Sequence, residues 1–446
     1  MAQDLKAPST EDLMSMWNAS GLKQKIIFTL MMIAVWRFGV QMPLYGINNQ
    51  IFSNIASGNN IIGFLDLFSG GALGKVSILA LGIGPFITAS IIVQLISVVI
   101  PSMEKLQKEE GEEGRRKLSQ YTRLFTVVLA IFQGFVFMLY LHHLPGAVVP
   151  GVSHIAFYFN SICILTAGAV LVMWISELIT ENGIGNGGSL IIFCGILSGI
   201  PVYAQRTFQL VKASTQMQLG LFILLAIFFA ATILIVIMQE AVRKVIIVNP
   251  KRQIGNKVYG GMNSFIPFKL NPGGVMPIIF AIAILLFPST VLAMVGQANF
   301  KSAAVKNFVM SLNHYLSPDG ITYYILYIGL IIALTFFYAS IMPNMQPKDI
   351  ADNLKKYGSS IPGIKPGRPT AEALDKILSR VIFIGAIGLG IIALVPSFGS
   401  YVTHIETLQG IGATSLIIMV GVALDLINQV RSHLLARNYE SFLKED

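Results

Sequence analysis

Apolar residues in this chain come in long runs separated by short polar breaks. Ten runs are close to the length, about 20 residues, that carries a helix across ~30 Å of hydrocarbon; they fall near 22–42, 76–98, 120–141, 155–176, 188–205, 217–238, 274–295, 321–342, 381–398 and 411–429. The pattern predicts an all-α polytopic membrane protein of ten transmembrane helices, whose solvent is lipid. An even number of spans puts both termini on one side.

The stretch 68–94, FSGGALGKVSILALGIGPFITASIIVQ, differs from the rest because Gly82, Gly84 and Pro85 sit at its middle. Backbone freed by such a break is tolerated at membrane depth only where it faces protein or a water-filled cavity. The break therefore points inward. Ile83 and Ile87 share a helix face, and Thr88, Ser90 and Gln94 add polar groups, so this span is expected to line a path. Just before it, IIGFLDLFSGGAL runs for about ten residues until Gly70 and Gly71 end it, too short to cross. Two readings fit: a re-entrant segment closing a cavity, and an interfacial helix on the headgroups.

The two halves of the chain echo each other. The second span of each carries a Gly/Pro interruption, LGIGPF at 81–86 and GGVMPIIF at 273–280, and the fifth opens with Gly183-Ile184-Gly185 in one and Gly410-Ile411-Gly412 in the other, each followed by Ser-Leu-Ile-Ile. Five plus five spans with matched breaks mark an inverted repeat with a conduit between halves. The side chains those spans offer are aliphatic: Ile83, Ile87, Ile192, Ile279 and Ile418.

Composition agrees, with 54% hydrophobic and 12% charged residues. With the N-terminus inside, inner segments hold 25 of the 31 Lys and Arg, which orients the chain and accounts for most of the net +9. The polar leader is acidic as well as basic and no small-residue cleavage site follows, so the first span is expected to remain. Arg37, near the outer end of that span, reads as a snorkelling interface residue. Two inner loops are dense in charge: 101–123, and 239–272, whose Val, Tyr and Phe spacing suggests a projecting hairpin.

Chemistry of the enzymatic kind finds little support. GIGNGG at 183–188 matches a dinucleotide fingerprint only formally, since no strand precedes it; its glycines read as a helix N-terminus where backbones meet closely. There is no HExxH, and Asp425 and Glu177 lie at inner span ends, where they read as interface residues. Cys163 and Cys194 lie within apolar spans and read as small buried hydrophobes.

FSGGALGK (68–75), LGIGPFITASIIVQL (81–95), KEEGEEGRRKLSQYTR (108–123), ITENGIGNGGSLIIF (179–193), KRQIGNKVY (251–259), ADNLKKYGSSIPGIKPG (351–367) and GATSLII (412–418) stand in one order along the chain. On these the sequence resembles the SecY family of protein-conducting channels over nearly its whole length. The resemblance implies a single membrane channel domain, 1–446, built of an N-terminal half, 22–205, and a C-terminal half, 217–429, inverted around a central pore. It implies that Ile83, Ile87, Ile192, Ile279 and Ile418 form the pore ring, and that 62–72 is a plug bearing Ile62, Phe64, Leu65, Leu67 and Phe68. Thr88, Gln94 and Asn186 would lie near a lateral gate. Inner loops 239–272 and 343–380, with Lys251, Arg252, Lys257 and Lys365, would receive the ribosome or the SecA motor, while SecE and SecG would be membrane subunits. The function implied is passage of unfolded preproteins, selected by signal sequences, with hydrophobic segments released sideways into the lipid bilayer.

The implied location is the bacterial plasma (inner) membrane with both termini cytoplasmic, or a thylakoid membrane. No catalytic residue, cofactor or metal is expected. Two positions depart from the family's pattern: Gly188 stands where an isoleucine usually follows the NG of GIGNG, and Lys365 replaces the arginine of the usual GIRPG. Lysine keeps the charge and loses the bidentate fork. The alternative reading is an inverted-repeat secondary transporter for a small solute, which needs a polar midplane site; an intramembrane protease would need catalytic side chains.

Overall fold

Hydropathy places a helix at each of the ten apolar runs in the structure, a computed structural model that describes residues 21–48, 52, 60–108, 111–144, 146–148, 154–212, 215–249, 252–254, 257–259, 263–295, 311–312, 315, 320–342, 346–403 and 413–442. In chain order these are α1 (Leu22–Val40), α2 (Asn60–Ser69), α3 (Gly84–Val99), α4 (Pro101–Lys108), α5 (Gly111–His143), α6 (His154–Asn182), α7 (Gly187–Lys212), α8 (Thr215–Glu240), strands β1 (Val242–Val248), β2 (Arg252–Ile254), β3 (Lys257–Tyr259) and β4 (Asn263–Lys269), then α9 (Met276–Val295), α10 (Ile321–Ile341), α11 (Pro347–Tyr357), α12 (Arg368–Thr403) and α13 (Ala413–Phe442). Among the described residues seven helices, α5 to α8, α10, α12 and α13, are long and apolar enough to cross a membrane. At the three other runs expected to span stand α1, which carries Lys23, Lys25 and Arg37, and the shorter apolar α3 and α9.

The charged stretches 101–108 and 111–123, expected as part of a loop, are helical. They form α4 and the first turns of α5, a helix of 33 residues that at 1.5 Å per residue runs for about 50 Å. Glu, Lys, Arg and Gln are good helix formers, and Lys117 pairs with Glu113 one turn away at 3.5 Å.

The chain divides into two compact units, one from residues 1–202, 287–313 and 422–446 and the other from 203–286 and 314–421. In the first, α5 packs on α6 and α3, and α1 on α6. Phe52 stands edge-on to Phe137 and Tyr140, ring centroids 5.8 and 6.4 Å apart, in a core shared with Leu44, Leu73 and Val76. Burying each such side chain contributes roughly 1.5–3 kcal/mol. Near the start of α5 and the end of α6, Arg123 Nε donates to Glu177 Oε1 at 2.9 Å, so this carboxylate joins two helices.

The span at 76–98 is not one interrupted helix. Residues 70–83 form successive turns, and helix begins only at Gly84, with Pro85 in its first turn. Gly70, Gly71 and Gly82 take φ of +71°, +84° and +55°, values that an L side chain rarely adopts. Val76, at φ +44°, is held there by its neighbours: its N–H donates to Leu73 O at 2.9 Å and its carbonyl accepts from Leu44 N–H at 2.9 Å. The Gly-Pro cluster thus starts a helix rather than breaking one. The same holds for α9, which opens at Met276 after Gly274 at φ +59°.

In the second unit α12 packs on α8, α10 and α11. The expected hairpin is two antiparallel pairs in succession, β1 with β4 (Val242 opposite Lys269) and β2 with β3 (Arg252 opposite Tyr259). Alternation puts Val245 and Ile247 on the buried face, where Val245 and Phe268 meet Ile361, Leu374 and Leu378. The apolar face of α11 adds Ile350 and Leu354, four residues apart, and Gly358 in the left-handed region ends that helix. Both cysteines are free. Cys163 lies exposed on the surface of α6, unlike the buried hydrophobe expected, while Cys194 is half-buried.

Candidate functional site

The aliphatic residues singled out above lie at or near helix starts. Ile83 occupies the N-cap of α3; its carbonyl accepts from Ile87 N–H at 3.1 Å, which keeps the two on one face. Ile83 and Ile192 are 2% and 1% exposed, and Ile87 is half-buried. A Cβ built on buried Gly188 would stand 3.2 Å from Asn186 Oδ1, 3.5 Å from Ser176 Oγ and 3.6 Å from Ile83 Cδ1, so glycine at 188 lies against the cap of α7, Ser176 of α6 and Ile83. In the second unit Ile279 and Ile418 are 4% and 0% exposed. Ile279 N–H donates to Val275 O at 3.1 Å, and Val275 Cγ1 presses within 2.0 Å of where Gly421 would carry a Cβ, which sets the start of α9 against the third turn of α13 within that unit.

The turn before α7 is fixed by hydrogen bonds from several directions. Ile184 N–H donates to Thr29 Oγ1 at 3.1 Å, Gly185 N–H to Gln429 Oε1 at 2.7 Å and Gly187 N–H to Thr180 Oγ1 at 2.9 Å. Asn186 then caps α7, its Oδ1 accepting from Ser189 N–H at 3.2 Å. Thr88 and Gln94 also bond within their own helix, Thr88 Oγ1 to Gly84 O at 3.0 Å and Gln94 Nε2 to Ser90 Oγ at 3.2 Å.

Helix α2 covers most of the short apolar segment. Leu65 packs on the core of the first unit and Phe68 is half-buried; the side chains of Ile62, Phe64 and Leu67 lie outside the described set. The turn after α2 folds back on Asp66, whose Oδ1 accepts from Gly74 N–H at 2.6 Å while its carbonyl accepts from Gly71 N–H at 2.8 Å. Burial raises the pKa of this carboxyl above the ordinary value, opposed by the Gly74 amide, the Ser69 hydroxyl and Lys75.

Arg37 corrects the sequence reading. Instead of snorkelling it turns inward: Nη1 donates to Gly70 O at 2.6 Å and to Ser198 Oγ on α7 at 3.2 Å.

Lys365 is exposed between Gly363 at φ +80° and Gly367 at φ +100°. Its carbonyl accepts from Thr370 Oγ1 at 2.8 Å, and neighbouring Ile364 packs into the core beneath the hairpin. Of the other basic candidates, Arg252 and Lys257 sit on β2 and β3 with side chains outside the described set, as is the whole of Lys251. Strand β1 is joined to the turn after α11: Val248 and Ser360 exchange backbone hydrogen bonds of 2.9 and 3.1 Å, and Ser359 Oγ donates to Asn249 Oδ1 at 2.7 Å.

Residues 77–427 match the SecY family, and the chain is 43% identical, over 99% of both lengths, to the protein translocase subunit SecY of Synechococcus elongatus. The chain belongs to the SecY family. Solved structures agree on the fold of SecY and its kin. One described as a protein conducting channel superposes with TM-score 0.63 at 18% identity, covering 92% of each chain. A second, concerning the plug domain of the SecY protein and the closed state of its translocation channel, gives 0.61 at 17% and 92% of each. Sec61 in a canine ribosome-channel complex gives 0.57 at 16%, again over 92% of each.

Sequence reasoning within the SecY family missed Arg37, because a charge at a span end looks alike whether it faces water or a carbonyl. It also missed the joining of β1 to the turn after α11, since Val248 and Ser360 are 112 positions apart and neither carries a distinctive side chain.

Proposed function

We propose that this multi-pass membrane protein is the channel subunit through which unfolded preproteins cross a bacterial inner membrane, with both termini cytoplasmic, and that apolar segments leave it sideways into the bilayer. The observation that carries this reading is chemical. The side chains at the starts of the Gly/Pro-marked helices are aliphatic, and an aliphatic constriction disfavours wetting and gives ions no ligands, yet yields around an extended chain of any sequence. Ile83, Ile87, Ile192, Ile279 and Ile418 would form that constriction, with Gly188 beside Ile83. Residues 62–72 would be the plug, and Thr88, Gln94 and Asn186 would border the lateral exit. There a span-length apolar segment gains about 25 cal/mol per Å² on entering lipid while a polar one gains nothing.

Sorting of this kind is thermodynamic and needs no catalytic group. Hydrolysis of nucleotide belongs to partners, for which the joined inner segments, exposing Lys365 and carrying Arg252 and Lys257, offer a basic landing face; a SecA-like motor and the ribosome fit it, and SecE and SecG would be the membrane subunits. The transporter alternative is set aside because full-length relatives are named as translocase subunits.

Docking is tested at Lys365. Lys365→Arg should be tolerated. Lys365→Glu replaces attraction by repulsion, worth several kcal/mol at a tight interface, and should cut ATP-driven translocation into vesicles at least about tenfold while membrane abundance stays unchanged. A near wild-type rate for Lys365→Glu removes the loop tip from motor docking.

A further inference from the structure

Arg37 stands in the last turn of α1, where an unshielded cation at membrane depth would be costly. Its two acceptors, Gly70 O and Ser198 Oγ, are neutral. Two helix ends supply the compensation: the guanidinium sits at the C-terminus of its own helix and grips the first carbonyl beyond the C-terminus of α2, and each end carries roughly half a negative charge. A side chain so placed favours α2 in its present seat over any position that takes Gly70 away.

The surroundings of Gly70 are shaped for this contact. A Cβ there would meet Trp36 Cη2 at 2.6 Å and Gly195 Cα at 3.2 Å, so the residue is clasped between α1 and α7 at a point only glycine can enter. Ser198 Oγ, held by its own donation to Gly195 O at 2.8 Å, is the second arm of the clasp. The segment being held is stiff. Asp66 Oδ1 accepts from Gly74 N–H at 2.6 Å, and Ser69 Oγ accepts from Leu73 N–H at 3.0 Å, which tie the turn at 70–74 to the last turn of α2. A pull on one carbonyl therefore holds the whole piece.

We infer that Arg37 is the positioning residue of the seal, the latch that holds α2 seated through the Gly70 carbonyl, and that opening the channel requires this guanidinium to exchange Gly70 for water or for the arriving chain. The inference rests on the plug reading of residues 62–72. It assigns to a span residue, outside the plug and the isoleucine ring, control over how readily the channel opens at rest.

The test compares Arg37→Met, Arg37→Gln and Arg37→Lys with wild type and with a deletion of residues 62–72, each in planar bilayers and in a translocation assay using preproteins with intact and with defective signal sequences. Arg37→Met should raise resting conductance severalfold and admit the defective-signal preprotein, with transport of the intact one retained. A purely structural residue would lower both. Arg37→Gln, which keeps a donor and loses the charge, should lie between Met and wild type, and Arg37→Lys should restore most of the seal. If the deletion raises conductance while Arg37→Met, or Arg37→Gln where the Met variant does not reach the membrane, matches wild type, the latch is overturned and the plug stands. If the deletion itself leaves conductance unchanged, the plug reading fails and the latch with it.

Discussion

Replacing Ile83, Ile87, Ile192 and Ile418 together by serine is expected to make the idle protein leak ions. Three of the four are at most 2% exposed, and serine exchanges their apolar surface for hydroxyls that hold water in a narrow passage. Taking even ~1.4 kcal/mol from the barrier to wetting raises passage about tenfold, and four substitutions remove more than that. Serine at buried positions also costs stability, on the order of 2–5 kcal/mol for each lost isoleucine, so the matched control is valine at the same four sites, which keeps the passage apolar and should keep it closed. Resting conductance in planar bilayers is the readout. An unchanged value for the serine variant, with the protein present at wild-type amounts, removes these residues from the seal.

A second large effect is expected from one methyl group. A Cβ on Gly187 would lie 1.9 Å from the Ser176 carbonyl oxygen and 2.7 Å from its carbon, and that carbonyl belongs to the backbone of α6, which cannot rotate away. Gly187→Val, and to a lesser degree Gly187→Ala, should force α7 off α6 and cost about 3 kcal/mol or more, seen as a severalfold fall in membrane abundance and a lower thermal midpoint in detergent. Gly329→Ala is the contrast: nothing lies within 4 Å of a Cβ there, and alanine in the middle of α10 should be neutral or slightly stabilising by helix propensity. Equal stability of the Gly187 and Gly329 variants would contradict the packing described for the α6–α7 turn.

How far the sequence reaches follows from what each feature depends on. The spans were legible because hydropathy over about 20 residues is a local property, and the hairpin because alternation at β1 and β4 is local too. The exposed turn at Lys365 could be read from Pro362-Gly363 and Pro366-Gly367 for the same reason. The start of α3 was misjudged: Gly82 and Pro85 signal a break, but whether helix or turn precedes it depends on Leu44 and Met42 pairing with Val76 and Ile78, residues more than 30 positions upstream. Charged runs such as 111–123 read as loops because polarity suggests surface, and the exposed face of a long helix is polar as well. Arg37 and Gly187 were beyond reach for one reason, that each is defined by a backbone oxygen elsewhere in the chain. The aliphatic set is visible as residues, while the approach of Gly188 to Ile83 depends on how α3 and α7 pack.

This chain is expected to conduct unfolded polypeptide. That expectation is tested most directly by reconstituting the full-length protein with SecE in sealed vesicles, adding SecA, ATP and a signal-bearing preprotein, and following protection of the preprotein from external protease. The expected result is protected, full-length preprotein that requires ATP and is lost when the signal sequence is removed. Vesicles that protect no preprotein under these conditions, yet accumulate a small solute against its gradient, would contradict it and restore the transporter reading.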